Sequence, residues 1–145
     1  MAPPLELGDP LAHRALQALV RAEVSVRRAL AADLEREGVS TPGFYALVVL
    51  TTAGGTAELR ALRRRLEWSK ANATEVTITL ESRGLVRRRR LAHDRRATAI
   101  DLTPSGRNLV ERLFPGHSDR VESAFSALDE GEKRSLAEIC RKLAA

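Results

Sequence analysis

The residues best equipped for chemistry in this 145-residue chain are arginines, and they are grouped. Arg87, Arg88, Arg89 and Arg90 run consecutively, and Arg95 and Arg96 follow just beyond His93 and Asp94. A guanidinium stays charged at physiological pH and pairs bidentately with phosphate or carboxylate, so such a cluster suits a polyanion. The stretch from Ser69 to Thr79 offers a different set, Lys70, Asn72, Thr74, Glu75 and Thr79. Lys reaches guanine, Asn pairs bidentately with adenine, Thr presents a hydroxyl or a methyl, and Glu accepts from cytosine. Taken alone, the second set reads equally well as a solvated helix surface, and an isolated arginine run more often is one. Found side by side, the two favour DNA.

Other chemistries have little to build on. No Gly-rich phosphate loop is present, and Gly54 and Gly55 lack a preceding strand. His13, His93 and His117 are scattered, with no metal-ligand spacing among themselves or with Cys140. Cys140 is the single cysteine, so no intrachain disulfide can form. It falls in an apolar helical stripe, where a packed, inert thiol is expected. Neither an enzyme nor a cofactor or metal is expected.

Composition sets the frame. Hydrophobic residues make up 43% of the chain but aromatic ones only 3%, so the core must be aliphatic, which favours helices. Lys and Arg number 24 against 19 Asp and Glu, a formal charge of +5 that suits an anionic partner. The start, Met1-Ala-Pro-Pro-Leu, has no basic region followed by an apolar run, and the longest apolar run, Ala46 to Leu50, cannot span a bilayer. A soluble, cytoplasmic, single-domain protein is expected.

The elements that must position the charged groups can be read from caps and periodicity. Asp9 and Pro10 start a long helix whose Leu16, Leu19, Val20, Val24, Leu30 and Leu34 recur at helical steps, and Gly38 ends it. Thr41-Pro42 starts a short buried helix closed by Ala53-Gly54-Gly55. Thr56 is expected to cap a helix carrying Leu59, Leu62 and Leu66, and Ser69 a second one, Lys70 to Arg83, closed by Gly84. Leu85 to Leu91 and Ala97 to Leu102 then read as strands joined by His93-Asp94-Arg95-Arg96, with the arginines at the tip and Asp94 bracing one of them. On that tip Arg95 and Arg96 suit a narrow minor groove, and along the first strand only alternate arginines, such as Arg87 and Arg89, share a face. Thr103-Pro104 opens another helix, which Pro115-Gly116 should kink or break. Asp129 and Glu132 form a capping box for a last helix with Leu136, Ile139, Cys140 and Leu143 on its apolar side. Two helices and a basic hairpin make a winged helix-turn-helix. The long amphipathic ends need a partner for their apolar stripes, most simply a second copy of the chain.

From Leu59 to Gly106 the sequence resembles the MarR family of bacterial transcriptional regulators. The motifs that carry the resemblance are Leu80-Glu-Ser-Arg-Gly-Leu-Val-Arg87, Asp94-Arg-Arg-Ala97, Ile100-x-Leu-Thr-x-x-Gly106 and Thr74 in mid-helix. The resemblance implies a single domain over 1–145, with a winged DNA-binding lobe at 41–102 and dimerisation helices at 10–37 and 103–144. It implies a homodimer on a (pseudo)palindromic operator, usually a repressor, often released by a small phenolic or carboxylate ligand lodged between the lobes. By position, Asp94, Arg95 and Arg96 match the family's wing tip, and Lys70, Asn72, Thr74 and Glu75 its base-reading segment. The chain departs from the family pattern at Glu75, Ile78 and Thr79. Glu75 is left to a cytosine contact or a salt bridge, and Ile78 to a thymine methyl or to packing on the wing. The departure moves the electrostatic burden to Arg63, Arg64, Arg65 and the wing. For an effector, Arg21, Phe44, Tyr45 and His117 lie on the helices that would meet between the lobes, though each has an ordinary packing or surface reading. The alternative function is a winged helix that binds a partner protein and ignores DNA.

Overall fold

The computed structural model describes all residues, 1–145. The first helix, α1 (Pro10–Arg36), is opened by Asp9, whose carboxylate accepts from the backbone N–H of Leu11 and Ala12 at 3.0 and 3.2 Å. Only its last turns reach the core. Leu30 and Leu34 are buried, whereas Leu11, Leu16, Leu19 and Val20 stand exposed. After Gly38 (φ +70°) the chain enters α2 (Thr41–Thr52), capped by Ser40 rather than Thr41, with Ser40 Oγ accepting from Gly43 N at 3.1 Å. Phe44, Ala46, Leu47 and Leu50 make α2 the centre of the core. A helix apolar on nearly every side is one that is enclosed.

The expected helix cap at Thr56 is not formed. Thr56–Glu58 is instead a short strand, β1, and α3 (Leu59–Leu66) begins after Glu58 with no side-chain cap. The cause is remote. Gly54 and Gly55, at φ +85° and +96°, turn the chain so that Thr56 pairs with Asp101 and Ala57 with Ile100. The tight turn after α3 runs through Glu67, which adopts the left-handed region at φ +56°, and Trp68 N closes it on Arg63 O at 2.9 Å. Trp68, beside this turn, packs against the core.

Ser69 caps α4 (Lys70–Ser82) by accepting from Asn72 N at 3.1 Å, and Gly84 (φ +73°) releases the chain. The hairpin follows as β2 (Val86–Leu91) and β3 (Asp94–Leu102), giving an antiparallel sheet in the order β1-β3-β2. β3 starts three residues earlier than expected, whereas β2 keeps close to its expected range. Leu91 pairs with Asp94 after an irregularity at Arg90/Leu91, so the loop shrinks to Ala92 and His93, and Asp94, Arg95 and Arg96 open β3.

Thr103 caps α5 (Pro104–Ala124), its Oγ1 accepting from Gly106 N at 3.1 Å. This helix does not break at Pro115-Gly116 but continues to Ala124. A proline deletes one backbone hydrogen bond, and packing of α5 along α1 and α2 outweighs that loss. The capping box is present at the start of α6 (Glu130–Ala144), with Glu132 N to Asp129 Oδ1 at 2.8 Å and Asp129 N to Glu132 Oε1 at 3.1 Å. No residue of α6 is buried, and Cys140, expected to be packed, is exposed, because α6 lies apart from the core of its own chain. An ion pair of 3.2 Å from Arg141 Nε to Glu67 Oε1 ties it to the turn after α3. No helix is long and apolar enough to cross a membrane.

Candidate nucleic-acid interface

The capped start of α4 fixes which of its side chains face outwards. Ala73, Thr77 and Leu80 are buried against the core. Ser69, Lys70, Asn72, Glu75 and Thr79 are exposed, and Thr74 is half-buried at the edge between the two faces. Thr77 satisfies its hydroxyl by donating to Ala73 O at 2.8 Å. The same oxygen accepts from Arg88 Nη1, which also reaches Thr74 O at 3.3 Å. Arg88 N in turn donates to Glu81 Oε2 at 2.7 Å. The first strand of the hairpin is thus fastened to α4 through one arginine.

Register sorts the remaining arginines. Arg88 lies opposite Ile100 on the sheet face turned to the helices, while Arg87 lies opposite Asp101 and Arg89 opposite Ala99 on the other. Arg89 makes a two-point pair with Asp101, Nε to Oδ2 at 3.0 Å and Nη2 to Oδ1 at 3.2 Å. Thr56 Oγ1 also donates to Asp101 Oδ1, at 2.7 Å. The Arg89 guanidinium holds the Asp101 carboxyl below the usual carboxylate range, partial burial opposes this, and the Thr56 hydroxyl assists. Arg90 Nη1 donates to Arg95 O at 3.3 Å. Asp94 braces backbone rather than a guanidinium, its Oδ1 accepting from Arg96 N at 3.0 Å. Arg87, Arg95 and Arg96 are exposed.

These pieces meet in a cleft between α3, the start of α4 and the hairpin. Arg60, Arg63, Lys70, Arg88 and Arg96 line it, together with the carboxylates Glu58 and Asp94 and with Thr74. Five cations against two anions, partly shielded by protein walls, concentrate a positive potential there. Of the residues singled out by sequence, the cleft joins Arg63, Lys70, Thr74, Asp94 and Arg96. It leaves Arg87 and Arg89 on the opposite face of the sheet, and Asn72, Glu75 and Thr79 on the outward side of α4. Sequence reasoning passed over Arg60 and Arg88. The spacing of Arg60 and Arg63, one helical turn, was a usable signal, as was the strand parity of Arg88.

A second feature lies away from the arginines, where α2 meets α5. His117 is 2% exposed, with ring centroids 5.0 Å from Phe44 and 5.8 Å from Tyr45, both edge-on. Neither ring nitrogen has a hydrogen-bond partner. Burial pushes the imidazole below its ordinary value, and the Arg120 charge adds to this. His13 is occupied elsewhere, with Nε2 2.9 Å from Leu7 O, and Arg21 stands exposed on α1. No group of three or more His, Cys, Asp or Glu residues is arranged to hold a metal ion.

Comparison with known proteins agrees with this geometry. The family model "MarR family" matches residues 40–98, from the cap of α2 into β3. YkoM of Bacillus subtilis (strain 168), an HTH-type transcriptional regulator, is 30% identical over 122 residues, covering 84% of this chain and 79% of that protein. The chain belongs to the MarR family. Another relative, the transcriptional repressor MprA of Escherichia coli (strain K12), is 32% identical over 111 residues, 76% of this chain. The chain spans 63% of the length of MprA. Among solved structures, that of the Streptomyces coelicolor MarR family regulator Sco3205 in complex with DNA aligns with a TM-score of 0.74 at 26% identity, covering 99% of this chain and 90% of that one. The MarR match takes in α3, α4 and β2 whole, and with them every residue that lines the basic cleft.

Proposed function

We propose that the chain is a homodimeric, cytoplasmic, sequence-specific DNA-binding regulator that recognises a palindromic operator and acts as a repressor. The observation that carries this reading is the cleft of Arg60, Arg63, Lys70, Arg88 and Arg96, set beside the exposed face of α4 and below the exposed Arg95. α4 enters the major groove, Arg95 and Arg96 approach the flanking minor groove, and the cleft holds the phosphates between them. Repression follows MprA, a repressor, and DNA as partner follows Sco3205, solved in complex with it. The exposed apolar residues of α1 and α6, among them Leu16, Leu19, Ile139 and Leu143, support association of two copies.

Release by a small aromatic or carboxylate ligand completes the proposal. Its support is the junction of α2 and α5, where an aromatic pair encloses an imidazole with both nitrogens unpartnered. The decisive experiment is a gel shift of the purified protein on the intergenic DNA upstream of its own gene, across a salt series. Regulators make phosphate contacts that release counterions, so binding should fall steeply as salt rises. No shift on that DNA and no retention on a DNA column at low salt would leave a winged helix that binds protein instead.

A further inference from the structure

The outward side of α4 is unusual for a surface that faces a polyanion. Past Lys70 it carries no cation before Arg83, and its middle holds the carboxylate Glu75. Ile78 is 52% exposed there, in a shallow depression formed with Lys70, Ala71, Thr74, Glu75 and Thr79. Packing on the wing does not explain Ile78, whose side chain stays exposed and outside the core cluster, while the wing is fastened to α4 through Arg88 at Thr74 and Thr77. Thr79 donates its hydroxyl to Glu75 O at 3.1 Å, which commits its hydrogen to the helix backbone. What this part of the helix offers a partner is therefore largely hydrocarbon.

On the major-groove edge of DNA the one apolar group is the 5-methyl of thymine. We infer that Ile78 is a specificity-determining residue that reads a thymine methyl, so that each half-site requires thymine under the second half of α4. This inference rests on the proposed DNA-binding function. Ile78 lies eight residues beyond Lys70, roughly 12 Å along the helix. Recognition is thus divided, with polar readers at the start of α4 and a methyl reader more than two turns later. Cytosine in the same place presents a bare C–H to Ile78 and forfeits the contact. Because the side chain is exposed, its removal leaves the core as it is.

The experiment begins with the tightest duplex that the wild-type protein selects from a random library. Each thymine is replaced in turn by deoxyuridine, which keeps every hydrogen-bonding group and removes only the methyl. One symmetric position is expected to weaken binding about fourfold in one half-site, the worth of one buried methyl-sized group at ~0.8 kcal/mol. Replacement in both half-sites should weaken it about fifteenfold. Ile78→Ala should bind the thymine duplex more weakly and lose discrimination at that position alone, with an unchanged melting curve. If Ile78→Ala discriminates thymine from uracil as the wild type does, or if no thymine is sensitive, the inference is overturned. A library that yields no enriched duplex overturns the DNA-binding reading itself.

Discussion

Arg89 and Arg95 sit on one hairpin in different chemical situations. Arg89 is engaged at two points by Asp101, on the sheet face away from the helices, whereas Arg95 is exposed at the start of β3. A guanidinium already paired with a carboxylate must give up that pair before it can hold a phosphate. Arg95→Ala is therefore expected to weaken operator binding by about 1–3 kcal/mol and reduce the salt slope by about one, with the dimer unchanged in sedimentation. Arg89→Ala should cost less than Arg95→Ala in the same gel-shift titration; equal losses would show that the Asp101 pair opens in the complex. At this scale the sequence showed which residues were charged but not which were spent. Six arginines lie between positions 87 and 96, and their pairing depends on register with Asp101 and on contact with Thr77, neither of which is local.

Within single elements, α5 offers a contrast between two glycines. A Cβ on Gly106 would overlap the Leu85 carbonyl oxygen and lie 2.7 Å from Leu102 Cδ1. Gly106→Ala should destabilise the fold by about 1–3 kcal/mol. A Cβ on Gly116 meets only the Arg120 guanidinium, at 3.4 Å, so Gly116→Ala should stabilise by about 0.5–1 kcal/mol through helix propensity. Urea denaturation of the two variants measures both signs. The junction of α2 and α5 adds a pH dependence. His117 titrates below its ordinary value of 6.5 in the fold, so above that pH the folded and unfolded chains are both neutral there and stability is flat. As pH falls below about 6.5 the unfolded chain takes up a proton that the folded one resists, and stability drops until the folded value is reached. The thermal midpoint should follow this course, and His117→Leu should flatten it. Asp101 and Glu37, whose carboxyls are held down by Arg89 and Arg112, act only at lower pH. The helices were legible where caps announce them, at Asp9, Ser69, Thr103 and Asp129. β1 was not, since three residues carry no period and its partner strand is about forty residues away. Nor was the survival of α5 through Pro115, which depends on α1 and α2 lying alongside it.

For the molecule as a whole, the core joins α2, the winged elements and the inner parts of α1 and α5, and the outer ends stay outside it. α6 buries nothing, and the first half of α1 is exposed throughout. On the proposed reading these surfaces are covered by the second copy, and Ile139→Glu, which places a charge on the apolar side of α6, should shift the mass in light scattering from dimer to monomer. The full chain should keep its helical signal in that variant, as judged by circular dichroism, because no residue of α6 is buried. The pattern of the apolar stripes was readable in sequence, but burial by a partner and burial by the same chain give the same pattern. That is why Cys140 looked packed and is exposed in a single chain.

The unbroken 27 residues of α1 have a mechanical side. A rod of that length is roughly 40 Å, longer than one turn of duplex DNA. Tilting it by about 5° carries the far end through about 3.5 Å, close to one base-pair rise. On the proposed reading, the separation of two reading heads is in that sense an angle, and a small tilt at the base of the rods puts both heads out of step with the operator while every helix stays intact.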